Sequence, residues 1–458
     1  MAQKSLLFQS LLLLVLLALL LPISLETTDE ELYFGMARGI VTFGIPIFQR
    51  GDVTRIAPTP PIFPALVSAH LIYVNKIYNR CKTLFPYEVS VALYWGMVSS
   101  INVLLSVLVF FISAKYMKIG SELCLMLFVS SMLLFFGTTL FIETFFAALL
   151  LIAMIAFEKN CHYLFAAALS LLCMAKTTYL FIVLPLPVFL YLNCKDVRKT
   201  IICSALFLVL PTLFQFAYND FMRGSFLNFG YDHYYYIEAF DVSVVQGFNL
   251  PLWYGLTGFL LSPGKSFLLY NISLVPGLIG LFIGIRREKS AFAVTVLTLI
   301  LAHLFLYSGW SQWEGGFSYG PRFLVPIIPL CLFGFRFIDL KKLRFWIGLS
   351  IVVGFGINLT ARSIDLYELY VNTGQYGSGV FFPLAYNFFG EMFPEYITLL
   401  TSSDPRSRAI FPLLLGGTHK AILIWQGLVI FLFLFMLNRW MKIASVSKTT
   451  TSDDHSTD

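Results

Sequence analysis

From Ser5 to Leu25 the chain reads S-L-L-F-Q-S-L-L-L-L-V-L-L-A-L-L-L-P-I-S-L, an apolar run with no charged residue. As a helix rising 1.5 Å per residue it reaches across the roughly 30 Å hydrocarbon core of a bilayer. The single cation ahead of it, Lys4, and the absence of a small-x-small cleavage pattern before Glu26 favour a retained anchor over a removed signal. Runs of the same kind recur near 89–112, 121–139, 141–157, 163–176, 178–192, 200–217, 267–285, 291–308, 323–338, 344–360 and 421–437. Composition agrees: 458 residues, 58% hydrophobic and only 12% charged, about half the charge that a water-facing surface carries. Soluble enzymes, disordered proteins and disulfide scaffolds are excluded. The expected fold is an all-α polytopic membrane protein of about twelve transmembrane helices with external loops.

The net charge of +6 is a matter of orientation, not of nucleic-acid binding. Alternating the spans from a cytoplasmic N-terminus gathers Lys195, Arg198 and Lys199, then Arg286, Arg287 and Lys289, then Lys341, Lys342 and Arg344 into short loops on one side, as the positive-inside rule requires. Both termini are then cytoplasmic, in a multi-pass protein of the cell membrane. Residues 1–440 read as one transmembrane domain and 441–458 as a cytoplasmic tail. Three longer segments, 26–88, 218–266 and 361–420, fall on the opposite side, away from nucleotides. The seven cysteines are scattered and show no C-x-x-C or Cys/His zinc spacing.

The first external segment opens T-T-D-E-E-L-Y-F-G at 27–35. Asp29 and Glu30 come straight off the first span, where a carboxylate can take a proton from a hydroxyl or hold a divalent metal. A capping box of Thr28 with Glu31 is the plainer reading of one or two of these acids. Four prolines, Pro58, Pro60, Pro61 and Pro64, keep the next stretch extended, and 65–79 reads as a helix lying in the interface. Glu143 and Lys176 interrupt the outer ends of two spans, where ionisable groups are costly enough to suggest a use. The string L-S-P-G-K-S at 261–266 imitates a phosphate loop but lacks the glycine that spacing demands at Phe259. No nucleotide site is assigned there. In W-S-Q-W-E-G-G-F-S-Y-G-P-R-F-L-V-P, 310–326, Trp310 and Trp313 suit an aromatic belt, Tyr319 is available to stack against sugar or lipid, and Pro321 restarts the chain into a span. Arg322 is thereby held at the rim, where a lipid phosphate would lie.

In this order the motifs resemble those of the GT-C membrane glycosyltransferases, specifically bacterial relatives of protein O-mannosyltransferases and of the lipid A aminoarabinose transferase. The residues that carry the likeness are the D-E pair after the first span, P-P-x-x-P-x-L, the glutamate at the third–fourth hairpin, S-P-G-K-S-F-L-L-Y, and W-x-G-G-x-S-Y-G-P-R-F-L-V-P. They cover about residues 1–340. The resemblance implies a GT-C-like fold and a sugar donor carried on polyprenyl phosphate. It makes Asp29, with Glu30 beside it, the catalytic base. Arg322 and Lys176 would bind the donor phosphate, and Tyr33, Glu143, Trp313 and Tyr319 are candidates to contact substrate. The acceptor would be a lipid, glycan or protein hydroxyl on the external face, and the displacement would invert the anomeric carbon. Two rival expectations are a transporter or flippase of lipid-linked sugars, for which His303 would be the intramembrane group, and a surface polysaccharide polymerase or ligase.

Overall fold

The computed structural model describes residues 2–24, 28–50, 53–56, 60–117, 119–229, 234–237, 242–245, 247–315, 318–364, 392–401, 409–415 and 417–446. Helices dominate. Among the described residues five are long and apolar enough to cross a membrane unaided: Tyr87–Tyr116, Val197–Arg223, Ala291–Ser308, Leu340–Ser363 and His419–Lys442.

Other apolar runs of the sequence are shorter or broken, and the breaks have local causes. Run 121–139 becomes helices Ser121–Val129 and Leu133–Phe136, separated where Asn271 Oδ1 accepts the Met132 N–H at 3.0 Å and the Ser130 hydroxyl donates to Ser273 Oγ at 2.8 Å. Run 178–192 splits into Tyr179–Ile182 and Leu186–Cys194 at Pro185. Run 323–338 is a 3-10 helix (Arg322–Ile327), one turn of α-helix (Ile328–Leu332) and another 3-10 turn (Phe333–Phe337), with Pro326 and Pro329 removing amide donors. Hydropathy registers composition over a window and is blind to such breaks.

The all-α expectation needs one correction. Two antiparallel hairpins, Ile47–Arg50 with Val53–Ile56 and Tyr234–Ile237 with Val242–Val245, lie in segments expected outside the bilayer. Their β-branched and aromatic residues favour strands.

Helix Glu143–Glu158 is the axis of the bundle. It is buried on nearly every side, as a helix apolar all round must be, and it packs against Tyr87–Tyr116, His162–Ala175 and the Arg322–Ile327 turn. Glu143 opens it among the candidate site residues; at the other end Glu158 pairs with Arg336, which also donates to the Tyr116 carbonyl. Helix Thr28–Phe43 and helix Ile62–Cys81 lie together beyond the first helix. The second buries Phe63, Val67, Leu71 and Val74 and exposes Ile72, Tyr73 and Ile77. The C-terminal helix His419–Val446 packs on the first helix, Ala2–Leu19.

Candidate active site

Asp29 and Glu30 occupy the first turn of helix Thr28–Phe43, where carboxylates suit the positive end of the helix dipole. The side chains of Thr28 and Asp29 lie outside the described residues, and with them the Thr28–Glu31 box. Glu30 is fully buried, and its Oε1 accepts the Leu140 N–H at 2.6 Å. The acidic helix is thus bound to the segment between helices Leu133–Phe136 and Glu143–Glu158. Tyr33, one turn on, stands edge-on to Phe63 with centroids 5.6 Å apart.

Both candidate cations meet at Phe323. Lys176 ends helix His162–Ala175 in an extended conformation, and its Nζ lies 4.6 Å from the Phe323 ring centroid and 5.2 Å from that of Tyr307. Arg322 opens the 3-10 helix, with its Cζ 5.0 Å from the Phe323 centroid and 5.6 Å from that of Phe141. Tyr307 stacks on Phe323 at 4.7 Å and 10°, and its hydroxyl shares a 2.9 Å hydrogen bond with Thr178. Glu143, buried at the head of the central helix, lies within electrostatic reach of Tyr307 and Tyr179. Glu30, Glu143, Lys176 and Arg322 are therefore gathered around Phe141 and Phe323. His303 is wholly buried nearby, with Nδ1 on the Leu299 carbonyl at 3.0 Å and its ring edge-on to Tyr179.

Trp313 and Tyr319 are placed differently. Trp313 packs edge-on against Phe259 and Tyr254, at 5.2 and 6.0 Å, and covers Gly258 so closely that no Cβ would fit there. Tyr319 is fully buried between Phe135 and Tyr270 and donates to Asn358 Oδ1 at 3.1 Å. Both hold the loop that delivers Arg322.

A further lysine belongs to this loop. Lys265, in the S-P-G-K-S turn, is fully buried and donates to the Ser318 carbonyl at 2.6 Å. Burial pushes its ammonium below its usual range, and Glu314 offsets part of that. Burial raises the Glu314 carboxyl, while Lys265 and Arg322 draw it back. The false phosphate loop is thus an internal strut. Its signal in the sequence was a lysine in an otherwise apolar stretch.

A cavity of about 610 Å³ has a wall that includes Thr177, Thr178, Phe181, Gln215, Phe248 and Trp310, and Lys176 itself is not part of that wall. The lining is mostly apolar, with Thr177, Thr178, Thr212 and Gln215 as its polar side chains. Among the described residues no three His, Cys, Asp or Glu side chains gather to hold a metal; Asp29 stands outside that set.

The helical bundle has the fold of a known multi-helix membrane protein. Two solved structures of ArnT from Cupriavidus metallidurans are similar to it in fold. ArnT bound to undecaprenyl phosphate matches with a TM-score of 0.54 at 12% identity, over 95% of this chain and 77% of that one. The apo form matches with a TM-score of 0.55 at 13% identity over the same shares. No protein-family model and no characterised sequence matches the chain.

Proposed function

We propose that the chain is an inverting glycosyltransferase that moves a sugar from a polyprenyl-phosphate carrier to a hydroxyl acceptor on the external face of the membrane. The observation that carries this reading is the pair of cations, Lys176 and Arg322, at one ring, with a largely apolar cavity lined by Thr177 and Thr178, the residues that follow Lys176. A phosphate ester with a long hydrocarbon tail needs both. The undecaprenyl phosphate of the ArnT crystal structure is a ligand of that chemistry, and it supports the choice of donor.

Away from nucleotide pools an activated sugar must arrive attached to something else, and a lipid phosphate serves. Asp29 takes the proton of the acceptor hydroxyl as its oxygen attacks the anomeric carbon. The bond from that carbon to the phosphate oxygen breaks on the opposite face, and the electron pair leaves with the polyprenyl phosphate. Lys176 and Arg322 meet the charge that builds on that phosphate, an effect worth several kcal/mol when the donors are preorganised. Base catalysis by a positioned carboxylate adds about 10²–10⁴-fold. Glu30, tied to Leu140, holds the acidic helix in place, and Tyr33 and Glu143 line the approach for sugar or acceptor. Trp313 and Tyr319 contribute by fixing the loop of Arg322.

The test is transfer by the full chain in lipid nanodiscs supplied with polyprenyl-phosphate sugars. Acceptor-dependent release of polyprenyl phosphate is expected. Movement of a labelled lipid-linked sugar across vesicles without its consumption would overturn the reading in favour of a flippase. Comparing surface glycolipids and proteins by mass with the gene intact and deleted would identify the acceptor.

A further inference from the structure

Between Phe136 and Glu143 the backbone leaves regular structure, and it does so in the interior. Buried carbonyls and amides outside a helix must find partners among side chains, and the partners here come from widely separated parts of the chain. Asn102, fully buried in the long helix Tyr87–Tyr116, donates through Nδ2 to the carbonyls of Thr139 and Phe141, both at 2.6 Å. The Thr144 hydroxyl donates to the Phe136 carbonyl at 2.9 Å. The Leu140 N–H goes to Glu30. Arg362, fully buried at the end of helix Leu340–Ser363, uses Nε to donate to Thr138 Oγ1 at 2.9 Å and to the Leu20 carbonyl at 2.8 Å.

This last contact is part of a second pattern. The carbonyls at the end of the first helix have no partners within it. Trp425 Nε1 donates to Leu19 O at 2.8 Å, Arg362 to Leu20 O, and the Ile410 N–H to Leu21 O at 2.9 Å. Gln426 Nε2 ties the same region together through Ser363 Oγ at 2.8 Å. The exit of the first helix, a few residues before the acid pair, is therefore set by the C-terminal part of the chain.

Strap 136–141 also faces the cations, since the Phe141 ring carries the Arg322 guanidinium. One short segment thus offers an N–H to the acidic helix and a ring to the rim arginine. We infer that this strap sets the separation between the acidic helix and the Lys176–Arg322 pair, and that Asn102 and Arg362 are the positioning residues that hold it. The inference rests on the proposed reading in which the two groups act on one substrate. It gives the C-terminal region, which resembles no motif, a task in the site.

An amide and a guanidinium inside a membrane bundle are expensive, and stability alone would be served by a continuous helix at the strap. The expense is accounted for if the irregular backbone must sit where it does. Asn102→Asp keeps the volume of the side chain and removes both donors, and Thr138→Val removes the Arg362 contact on the strap side only. Arg362→Lys retains a charged donor able to reach both acceptors, whereas Arg362→Met does not.

The full chain in nanodiscs is read in two ways. In Asn102→Asp and Arg362→Met, amide exchange in peptides 28–36 and 137–142 should quicken about tenfold or more, while peptide 170–182 around Lys176 is unchanged. In the same variants kcat for sugar transfer should fall about tenfold, with the dissociation constant for polyprenyl phosphate within about twofold of wild type, and Arg362→Lys should recover most of the loss. Thr138→Val should loosen 137–142 and leave the end of the first helix protected. Exchange that stays at wild-type rates, or that rises evenly along the chain with donor binding falling in step, would overturn the inference. If the wild type transfers no sugar, the proposed function falls and the exchange pattern alone decides the role of the strap.

Discussion

Lys176 and Arg322, far apart in sequence, share the ring of Phe323, with Nζ at 4.6 Å and Cζ at 5.0 Å from its centroid. Two cations brought this near repel each other, and an aromatic face offsets only about 0.5–2 kcal/mol of that for each. In the proposed function the anion that joins this arrangement is the donor's phosphate, which carries at least one full charge.

Arg322→Ala and Lys176→Ala should each weaken polyprenyl-phosphate binding about 10–100-fold, the range for a hydrogen bond to a charged group. Because both cations would address one phosphate, the double variant should lose less than the product of the single losses. Titration of detergent-solubilised protein with the lipid phosphate measures all three. Independent effects that multiply cleanly would place the two cations on different ligands.

The two leading acids should separate by their chemistry. Asp29→Asn removes the base and should lower kcat about 10²–10⁴-fold at unchanged protein abundance. Glu30→Gln retains an oxygen that can accept the Leu140 N–H, so its loss should be about tenfold or less. Single-turnover transfer with saturating donor measures both. Equal losses, or a larger one at Glu30, would move the base to the neighbouring carboxylate.

Much of the candidate site was legible because its residues are out of place in a membrane. Glu143, Lys176 and Arg322 each interrupt an apolar run, and the fold brings them to one locus. The class of fold followed from recurrence of those runs; their internal breaks at Pro185, Pro326 and Ser130 did not, because a break costs little in average hydropathy. Trp313 and Tyr319 show the opposite failing of sequence reading. An aromatic residue near a cation is equally at home in a belt, a binding wall or a core, and only packing on Gly258 and the bond to Asn358 show which contacts these make. Asn102 and Arg362 carried the same kind of signal as Glu143, a polar group in an apolar run, but their partners are backbone carbonyls, which sequence does not reveal.

Lys265 makes a pH prediction. Burial holds its ammonium below the usual 10.5, so between the lowered value and 10.5 the unfolded chain holds a proton that the folded chain does not. Stability from this group therefore rises with pH through that window. Replacing Lys265 by Met removes the term, so the excess in thermal midpoint of wild type over Lys265→Met should widen from about pH 7.5 to about pH 9.5. Glu314 acts in the other sense at acid pH: its raised carboxyl keeps a proton in the folded state, so its contribution falls as pH climbs above 4.5. A difference between wild type and Lys265→Met that is flat through the alkaline window would show that Lys265 keeps its proton, and with it a full charge beside Ser318.

Gly315 tests the loop that delivers Arg322. Its φ is +79°, a region that L-residues enter at a cost, and a Cβ there would stand 2.8 Å from Arg322 Cγ and 3.1 Å from its Nε. Gly315→Ala therefore combines backbone strain of about 1–2 kcal/mol with a push on the guanidinium stem. Gly224 supplies the control, since its φ is +68° and nothing lies within 4 Å of the position a Cβ would take. Both variants should lower the thermal midpoint by a similar amount. Only Gly315→Ala should also raise the dissociation constant for polyprenyl phosphate, by about tenfold, because an arginine moved by even an ångström loses its alignment on a phosphate. Equal binding in the two variants would mean that Arg322 does not touch the donor, and the phosphate site would then have to be sought around Lys176 alone.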